Sequence, residues 1–262
     1  MTGSRSGLIL QDRDRDLLIE LALLRIIDRE QAQLLCGFRS ITRANTRLLA
    51  LTWAGLLNRF FIGTFSGGKK SLYALSRKGA SLIGAAGPTL QRRRNAVLVG
   101  DRFVEHQLKI NSIYLIVKCG SIPVPGLRYS GWFALKQPLT AASGLIPDAY
   151  FELATEAKTT CCFLEVDLGT ENLSIWRKKI EAYLAYAVCG AFETQFRRSQ
   201  FRVLVITDTE RRLHSIRAVI AKSTDKIFWI SSFDLIERQS FWAAIWFRPT
   251  GTQAQPLFGG EA

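Results

Sequence analysis

Hydrophobic positions recur at helical spacing near the start of the chain. In DRDRDLLIELALLRI, Leu17, Leu21 and Leu24 follow an acid-rich first turn, which predicts an amphipathic helix. DREQAQLLC predicts a second, short helix that Asp28 caps and Gly37 ends, with its two leucines turned inward. The first forty residues therefore predict two consecutive helices.

A third helix is predicted for SITRANTRLLALTWAGLL, which Ser40 caps. Arg43 and Arg47 lie one turn apart on its polar side. We expect its buried side to consist of Ile41, Leu48, Leu51 and Leu56.

The pattern then changes to LLNRFFIGTFSGGKKSLYALS, two strand-like runs around a glycine-rich basic turn, which predicts a β-hairpin. RKGASLIGA predicts a closing helix. Three helices followed by a hairpin are typical of a winged helix-turn-helix, whose third helix enters the major groove while the wing contacts phosphates. Residues 8–86 are therefore predicted to form a winged helix-turn-helix DNA-binding domain.

Charge supports this interpretation, because the segment from Gln31 to Gly100 has eleven basic residues and no acid, within a chain of net charge +13. Double-stranded DNA is the leading partner, and an anionic membrane surface is the weaker candidate. The predicted DNA contacts on the third helix are Arg39, Arg43, Thr46 and Arg47, and those on the wing are Lys69 and Lys70. Residues 87–97 are predicted to be a basic linker in which Arg92, Arg93 and Arg94 contact backbone phosphate.

Residues 98–250 are predicted to form a second domain. It begins with the helix VGDRFVEHQLKINSIYLIVK and continues with strand-like runs, first in a meander and then alternating with helices. This order predicts a mixed sheet with helices packed on it, so the fold class is α/β (α+β). The polar tail, residues 251–262, is predicted to be disordered.

Two of the predicted strands, DAYFEL and CCFLEV, favour a hairpin that turns at Glu156 and Ala157. That register places Asp148 opposite Glu165, with Asp167 two residues further on the same face. The other face is apolar and consists of Ala149, Phe151, Leu153, Cys162, Leu164 and Val166. Facing carboxylates repel, and Mg²⁺ would compensate them through Asp148 and Glu165. Alternatively, Arg177, Lys178 or Lys179 balances the acids without chemistry.

The pattern IPDAYFEL followed by LEVD resembles the PD-(D/E)XK nuclease superfamily. The resemblance implies that Asp148 and Glu165 hold Mg²⁺ and that a lysine two residues after the second acid assists the attacking water. Here Asp167 stands at the lysine position. The resemblance also implies that the following helix supplies the lysine, as Lys178 or Lys179, and that Glu105 matches an acid of the first helix.

Seven further stretches are informative when they are taken together: GLLNR, YALSRKGASLIG, EHQLKINSIYL, PDAYFEL, EVDLGTE, KIEAYLAY and RVLVITDTERR. With these stretches in this order, the chain as a whole resembles the replication-relaxation family of plasmid and mobile-element proteins. The resemblance implies a DNA-binding protein that acts in replication, relaxation or transfer alongside other proteins of those processes. We expect weak or no cleavage, and the alternative is a Mg²⁺-dependent endonuclease or nickase that uses Asp148, Glu165 and Asp167. A homodimer is an option that the sequence leaves open.

Several function classes are disfavoured by the sequence. The five cysteines lack metal-ligand spacing, and SGGKKS lacks the spacing of a phosphate-binding loop, so a zinc protein and an ATP-driven motor are not expected. No run of about 18 apolar residues occurs, so we expect no membrane segment and a cytoplasmic location.

Overall fold

The computed structural model describes residues 8–63, 67–90 and 101–258. The chain divides into two compact units, Met1–Leu115 and Ile116–Ala262, and each is considered by itself. The described residues contain no helix that is long and apolar enough to cross a membrane.

The first unit contains the three helices and the hairpin that the sequence predicts. Its elements are α1 (Asp12–Leu24), β1 (Ile26–Asp28), α2 (Arg29–Cys36), α3 (Ile41–Trp53), β2 (Leu57–Gly63), β3 (Lys69–Leu75) and α4 (Arg77–Leu82), followed by most of α5 (Arg102–Lys118). The strands form an antiparallel sheet in the order β1-β3-β2. Strand β1 was not predicted, because three residues are too few to show an alternating pattern.

Local side-chain contacts define the helix boundaries. The side chains of Asp28, Ser40 and Ser76 accept hydrogen bonds from backbone amides in the first turns of α2, α3 and α4. Gly37 ends α2 in the left-handed conformation at φ 59°, which a residue with a Cβ adopts at a cost. The caps predicted at Asp28 and Ser40 and the stop at Gly37 are therefore present.

Two predicted burial sites were wrong. Leu34 is 60% exposed, and α2 instead buries Gln31, whose side-chain amide donates to the Leu108 carbonyl at 3.1 Å. Ile41 is 40% exposed because it is the first residue of α3, and the buried stripe starts one turn later at Ala44.

Helix α5 is held on the first unit by buried amides. Asn111 Nδ2 donates to the carbonyls of Leu24, at 3.2 Å, and Ile26, at 2.6 Å, and Gln107 donates to Asn111 Oδ1. These bonds join α5 to the junction of α1 and β1 and give both carbonyls a buried donor. The sequence interpretation placed this helix in the second domain, whereas its residues up to Leu115 group with the first unit.

The second unit is built on a five-stranded mixed sheet, as predicted. Its elements are β4 (Arg128–Phe133), β5 (Ala149–Ala154), β6 (Thr159–Asp167), α6 (Leu173–Val188), α7 (Ala191–Phe196), β7 (Arg202–Thr207), α8 (Glu210–Ile220), β8 (Phe228–Ser232) and α9 (Phe233–Arg238). The strand order is β4-β5-β6-β7-β8, antiparallel as far as β6 and parallel from β6 to β8. The protein is thus of mixed α/β class.

The β5–β6 hairpin has the predicted register, with Tyr150 opposite Phe163 and Glu152 opposite Cys161. Both of its faces are buried. On the face that carries the acids, Phe163 packs in a cluster of aromatic rings from α6, α7 and the start of β7, namely Tyr183, Tyr186, Phe192, Phe196 and Phe201. The carboxylates of this face therefore lie under helices.

The C-terminal segment is ordered as far as Phe258, which differs from the predicted disordered tail. Trp246 pairs with Gln255 in an antiparallel bridge, and Leu257 is 1% exposed. The apolar side chain of Leu257 is buried in a segment whose composition is otherwise polar, and this burial outweighs the tendency to disorder. Residues 259–262 of the predicted tail lie outside the described residues.

Candidate functional site

The acidic residues predicted from the sequence lie where β6 ends. Glu165 and Asp167 alternate with Val166, so both carboxylates point to the face of the sheet that bears the aromatic cluster. Their side chains are each 1% exposed. Because ionised carboxylates are costly to bury alone, their partners determine what this site can do.

Glu165 is held by two donors from α6. Lys179 Nζ lies 2.9 Å from Oε2, and the Tyr183 hydroxyl donates to Oε1 at 2.6 Å. Burial raises the pKa of Glu165 to about 7, the Asp148 charge adds to the rise, and Lys179 and Tyr183 oppose it. Burial disfavours the charged form of Lys179, but Glu165 and Glu171 outweigh it and raise the lysine pKa. The carboxylate is thus part of a closed ion pair.

Asp167 accepts more hydrogen bonds than Glu165 does. Arg212 donates one hydrogen bond to each carboxylate oxygen of Asp167, both at 2.8 Å. Trp176 Nε1 donates to Oδ2 at 2.6 Å, and the Gly169 amide donates to Oδ1 at 2.7 Å. Burial opposes ionisation of Asp167, but Arg212 and the neutral donors outweigh it, so its pKa is lowered. This side chain is an anionic anchor that joins β6 to α6 and α8.

Asp148 is half-buried just before β5, and its Oδ2 accepts a hydrogen bond from the Val166 amide at 2.7 Å. Its charge acts on Glu165, so the structure brings these two predicted residues together. The donor set does not fit resident Mg²⁺, because Lys179 and Arg212 already neutralise Glu165 and Asp167. Within the described ranges, no group of three or more His, Cys, Asp or Glu side chains is suited to hold a metal ion.

The other predicted residues of the acidic site are placed differently. Lys178 is exposed, and the neighbouring Lys179 is the lysine that reaches Glu165. Glu105 is exposed on α5, in the first unit. The sequence analysis did not identify Arg212. Its position shortly after β7 was nevertheless a usable signal, because the carboxyl ends of parallel strands meet at one edge of the sheet.

In the first unit, a basic groove lies along α3. This concavity of 630 Å³ is lined by Arg13, Gly37, Phe38, Arg39, Thr42, Arg43, Thr46, Arg47 and Ala50, and no acidic residue is among them. Arg39, Arg43 and Thr46 are exposed on α3 and the turn before it. Arg13 stacks on Phe38, with its guanidinium carbon 5.0 Å from the ring centroid.

Two of the predicted DNA contacts have partners within the unit. Arg47 donates from Nε to the buried Asp14 at 2.8 Å and from a terminal nitrogen to the Ile9 carbonyl at 2.7 Å. Lys70 Nζ lies 2.6 Å from Asp28 Oδ2. Lys69 is exposed at the start of β3. The predicted contacts at Arg92, Arg93 and Arg94 lie outside the described residues.

Comparison with known proteins gives one family. The replication-relaxation family profile matches residues 20–198. These residues include strands β5 and β6, helix α6 and every lining residue of the basic groove except Arg13. No curated protein and no solved structure matches the chain significantly.

Proposed function

Because the chain belongs to the replication-relaxation family, we propose that it binds double-stranded DNA in the replication, relaxation or transfer of a plasmid or mobile element. Family membership supports the role in replication or relaxation. The binding of DNA and the use of each unit are inferred from the side chains described above.

The observation that carries the proposal is the acid-free groove along α3. The order α1-β1-α2-α3-β2-β3 with a β1-β3-β2 sheet supports a winged helix-turn-helix, a fold in which the third helix enters the major groove. Arg43 and Thr46 are exposed on this helix and Arg39 is exposed in the turn before it. Lys69 is exposed in the β2–β3 hairpin, which is the proposed wing. Arg47 also lines the groove, but it is paired with the buried Asp14, so it holds α3 in place and leaves the positive charge of the groove to the other arginines.

In the second unit, the nuclease-like arrangement acts as a scaffold with weak or no cleavage. Asp167 stands at the lysine position and is bound by Arg212, and Glu165 is bound by Lys179. A side chain that activates water must be able to contact that water. Glu165 and Asp167 are almost fully buried, which disfavours such a role. Their ion pairs connect the sheet to α6 and α8.

A second candidate function is Mg²⁺-dependent DNA cleavage through Asp148, Glu165 and Asp167. It is favoured by the proximity of Asp148 to Glu165 and by Lys179, a lysine from the following helix beside the second acid. This function would require Lys179 to release Glu165 and Arg212 to release Asp167 before these carboxylates could hold a metal ion.

DNA binding is tested by fluorescence anisotropy with labelled duplex. We expect the full chain to bind, and the double variant Arg39→Ala/Arg43→Ala to bind at least tenfold more weakly at about 100 mM salt, since phosphate contacts dominate affinity. The matched control is Arg15→Ala/Arg77→Ala, which removes two exposed charges of the same unit from outside the groove. Equal losses in the two double variants would contradict the role of α3.

Cleavage is tested separately on supercoiled plasmid with Mg²⁺ or Mn²⁺. The scaffold proposal predicts no nicking by the wild-type chain above the level of Glu165→Ala. Metal-dependent nicking that disappears in Glu165→Ala and Asp148→Ala would establish the second candidate function instead. A homodimer on a two-fold site stays a prediction, which the stoichiometry of the duplex complex tests.

A further inference from the structure

A large pocket in the second unit lies at the edge of the sheet where β6, β7 and β8 begin. This edge is opposite to the one that bears Glu165 and Asp167, so the pocket is separate from the acidic site. Its volume is 880 Å³, within the range of ligand-binding pockets. The strand starts contribute Thr160, Arg202 and Trp229, and the ordered C-terminal segment contributes Leu257 and Phe258.

The pocket is strongly cationic. Lys158, Arg202, Lys226 and Arg248 line it, and no Asp or Glu is among its lining residues. The two lysines are exposed, whereas the two arginines are half-buried. Four positive charges around one concavity attract an anion, and low-dielectric walls strengthen that attraction.

The two arginines are fixed without being neutralised. Their guanidinium carbons lie 4.8 Å (Arg202) and 4.7 Å (Arg248) from the centroid of the Trp229 ring. Arg202 donates to the Leu257 carbonyl, and Arg248 donates to the carbonyls of Phe228 and Asp225. Backbone carbonyls orient a guanidinium but leave its full charge in place, and of its five N–H donors each arginine uses only one or two in these bonds.

The charges of the two arginines repel each other, which affects the pKa of Arg248. Burial lowers the pKa of Arg248, the charge of Arg202 lowers it further, and Asp225 opposes the change. Asp225 is exposed and is not part of the lining. Holding two half-buried positive charges against one ring is energetically unfavourable when no carboxylate lines the pocket. A bound anion would offset that cost.

We propose that this pocket binds single-stranded nucleic acid through its phosphates. A duplex is too wide to enter a concavity of this size, whereas a single strand fits and places successive phosphates against the arginines inside and the lysines at the rim. One free nucleotide would leave the rim lysines unused. The ligand class follows from the proposed function, in which DNA strands are processed, but the pocket residues are distinct from the groove along α3.

The test uses the full chain and a labelled single-stranded oligonucleotide of about a dozen nucleotides, with anisotropy measured over a range of salt concentrations. We expect Lys226→Glu and Lys158→Glu each to weaken binding and to reduce the slope of log affinity against log salt by about 0.7 or more, the contribution of one phosphate contact on a single strand. Both lysines are exposed, so these variants should fold. The matched control Lys136→Glu reverses an exposed charge of the same unit outside the pocket and should leave the slope unchanged.

A photo-crosslink from an iodouracil-substituted strand should map to the peptides containing Trp229 or Phe258. The inference is overturned if the single strand does not bind, if the pocket variants behave like Lys136→Glu, or if a mononucleotide binds as tightly as the strand. Duplex affinity, measured in parallel, should be unchanged by the pocket variants. Failure of the wild-type chain to bind duplex would refute the proposed function of α3 while leaving the single-strand result to stand or fall by itself.

Discussion

The most informative single change is Lys179→Met, which removes the charge partner of a buried carboxylate and keeps most of the aliphatic volume. Glu165 then retains Tyr183 as its hydrogen-bond donor and has Asp148 as its charged neighbour. Breaking a buried ion pair from one side costs about 3–5 kcal/mol, because the remaining carboxylate must either stay charged without a partner or take up a proton that the unfolded chain would not hold. We expect a loss of about 3 kcal/mol in the free energy of unfolding at pH 8.

The pH dependence of the stability loss shows whether it arises from the ionisation of Glu165. Burial raises the pKa of Glu165 from its ordinary 4.5 to about 7, so folding is favoured at low pH and this contribution is lost as pH rises towards 7. Without Lys179 the pKa rises further, and the variant keeps the proton at pH values where the wild-type protein loses it. The difference in the free energy of unfolding between the wild-type protein and the variant should therefore grow above pH 7 by about 1.36 kcal/mol per pH unit. This amounts to roughly 1.4 kcal/mol between pH 6 and pH 8.

The assay is urea unfolding followed by far-UV circular dichroism at pH 6 and pH 8, with Lys178→Met as the control. Lys178 is exposed on the same helix, so its replacement should change stability by no more than about 0.5 kcal/mol. The double variant Lys179→Met/Glu165→Gln should recover much of the loss at pH 8, because a neutral amide at this position needs neither a charged partner nor a bound proton. A deficit that is equal at the two pH values, or one no larger than that of Lys178→Met, would refute this description of the pair.

Three further changes test other parts of the structure. Asp14→Asn should cost about 2–3 kcal/mol in urea unfolding at pH 7 by breaking the buried pair with Arg47, and because the pKa of Asp14 is lowered, the difference should shrink below about pH 4; a difference that persists there would contradict the ionic origin. Gly79→Ala should lower the thermal midpoint by the equivalent of about 2 kcal/mol or more, since the added Cβ would lie 2.2 Å from the Leu56 carbonyl oxygen, and an unchanged midpoint would be inconsistent with that contact. Trp176→Phe should cost about 1–3 kcal/mol in urea unfolding, because Asp167 loses a buried donor, and a loss below that of an exposed control such as Trp53→Phe would argue against the anchor.

The sequence was sufficient to predict the β5–β6 hairpin and the proximity of Asp148 and Glu165. A tight turn determines strand register, and a one-residue slip would exchange the apolar face of the hairpin with the face that carries the acids. The helix caps at Asp28 and Ser40 were also predictable, because a cap depends on residues within one turn.

The partners of the acids were not predictable in the same way. The choice between Lys178 and Lys179 depends on the rotation of α6 about its axis, which the packing of Trp176, Ile180 and Tyr183 sets. Arg212 reaches Asp167 from 45 positions away through a parallel crossover, so no local pattern connects them. The cationic pocket was missed because Arg202 and Arg248 are distant in sequence and are brought together by folding at the ring of Trp229.

The central claim is that α3 and the turn before it bind duplex DNA. It is tested most directly by the salt dependence of duplex affinity for the wild-type chain and for Arg39→Ala/Arg43→Ala. Each phosphate contact on a duplex contributes about 0.9 to the slope of log affinity against log salt, so the double variant should lose up to about 1.8 from that slope. A slope equal to that of the wild-type chain would show that these two arginines do not contact the DNA backbone and would contradict the claim.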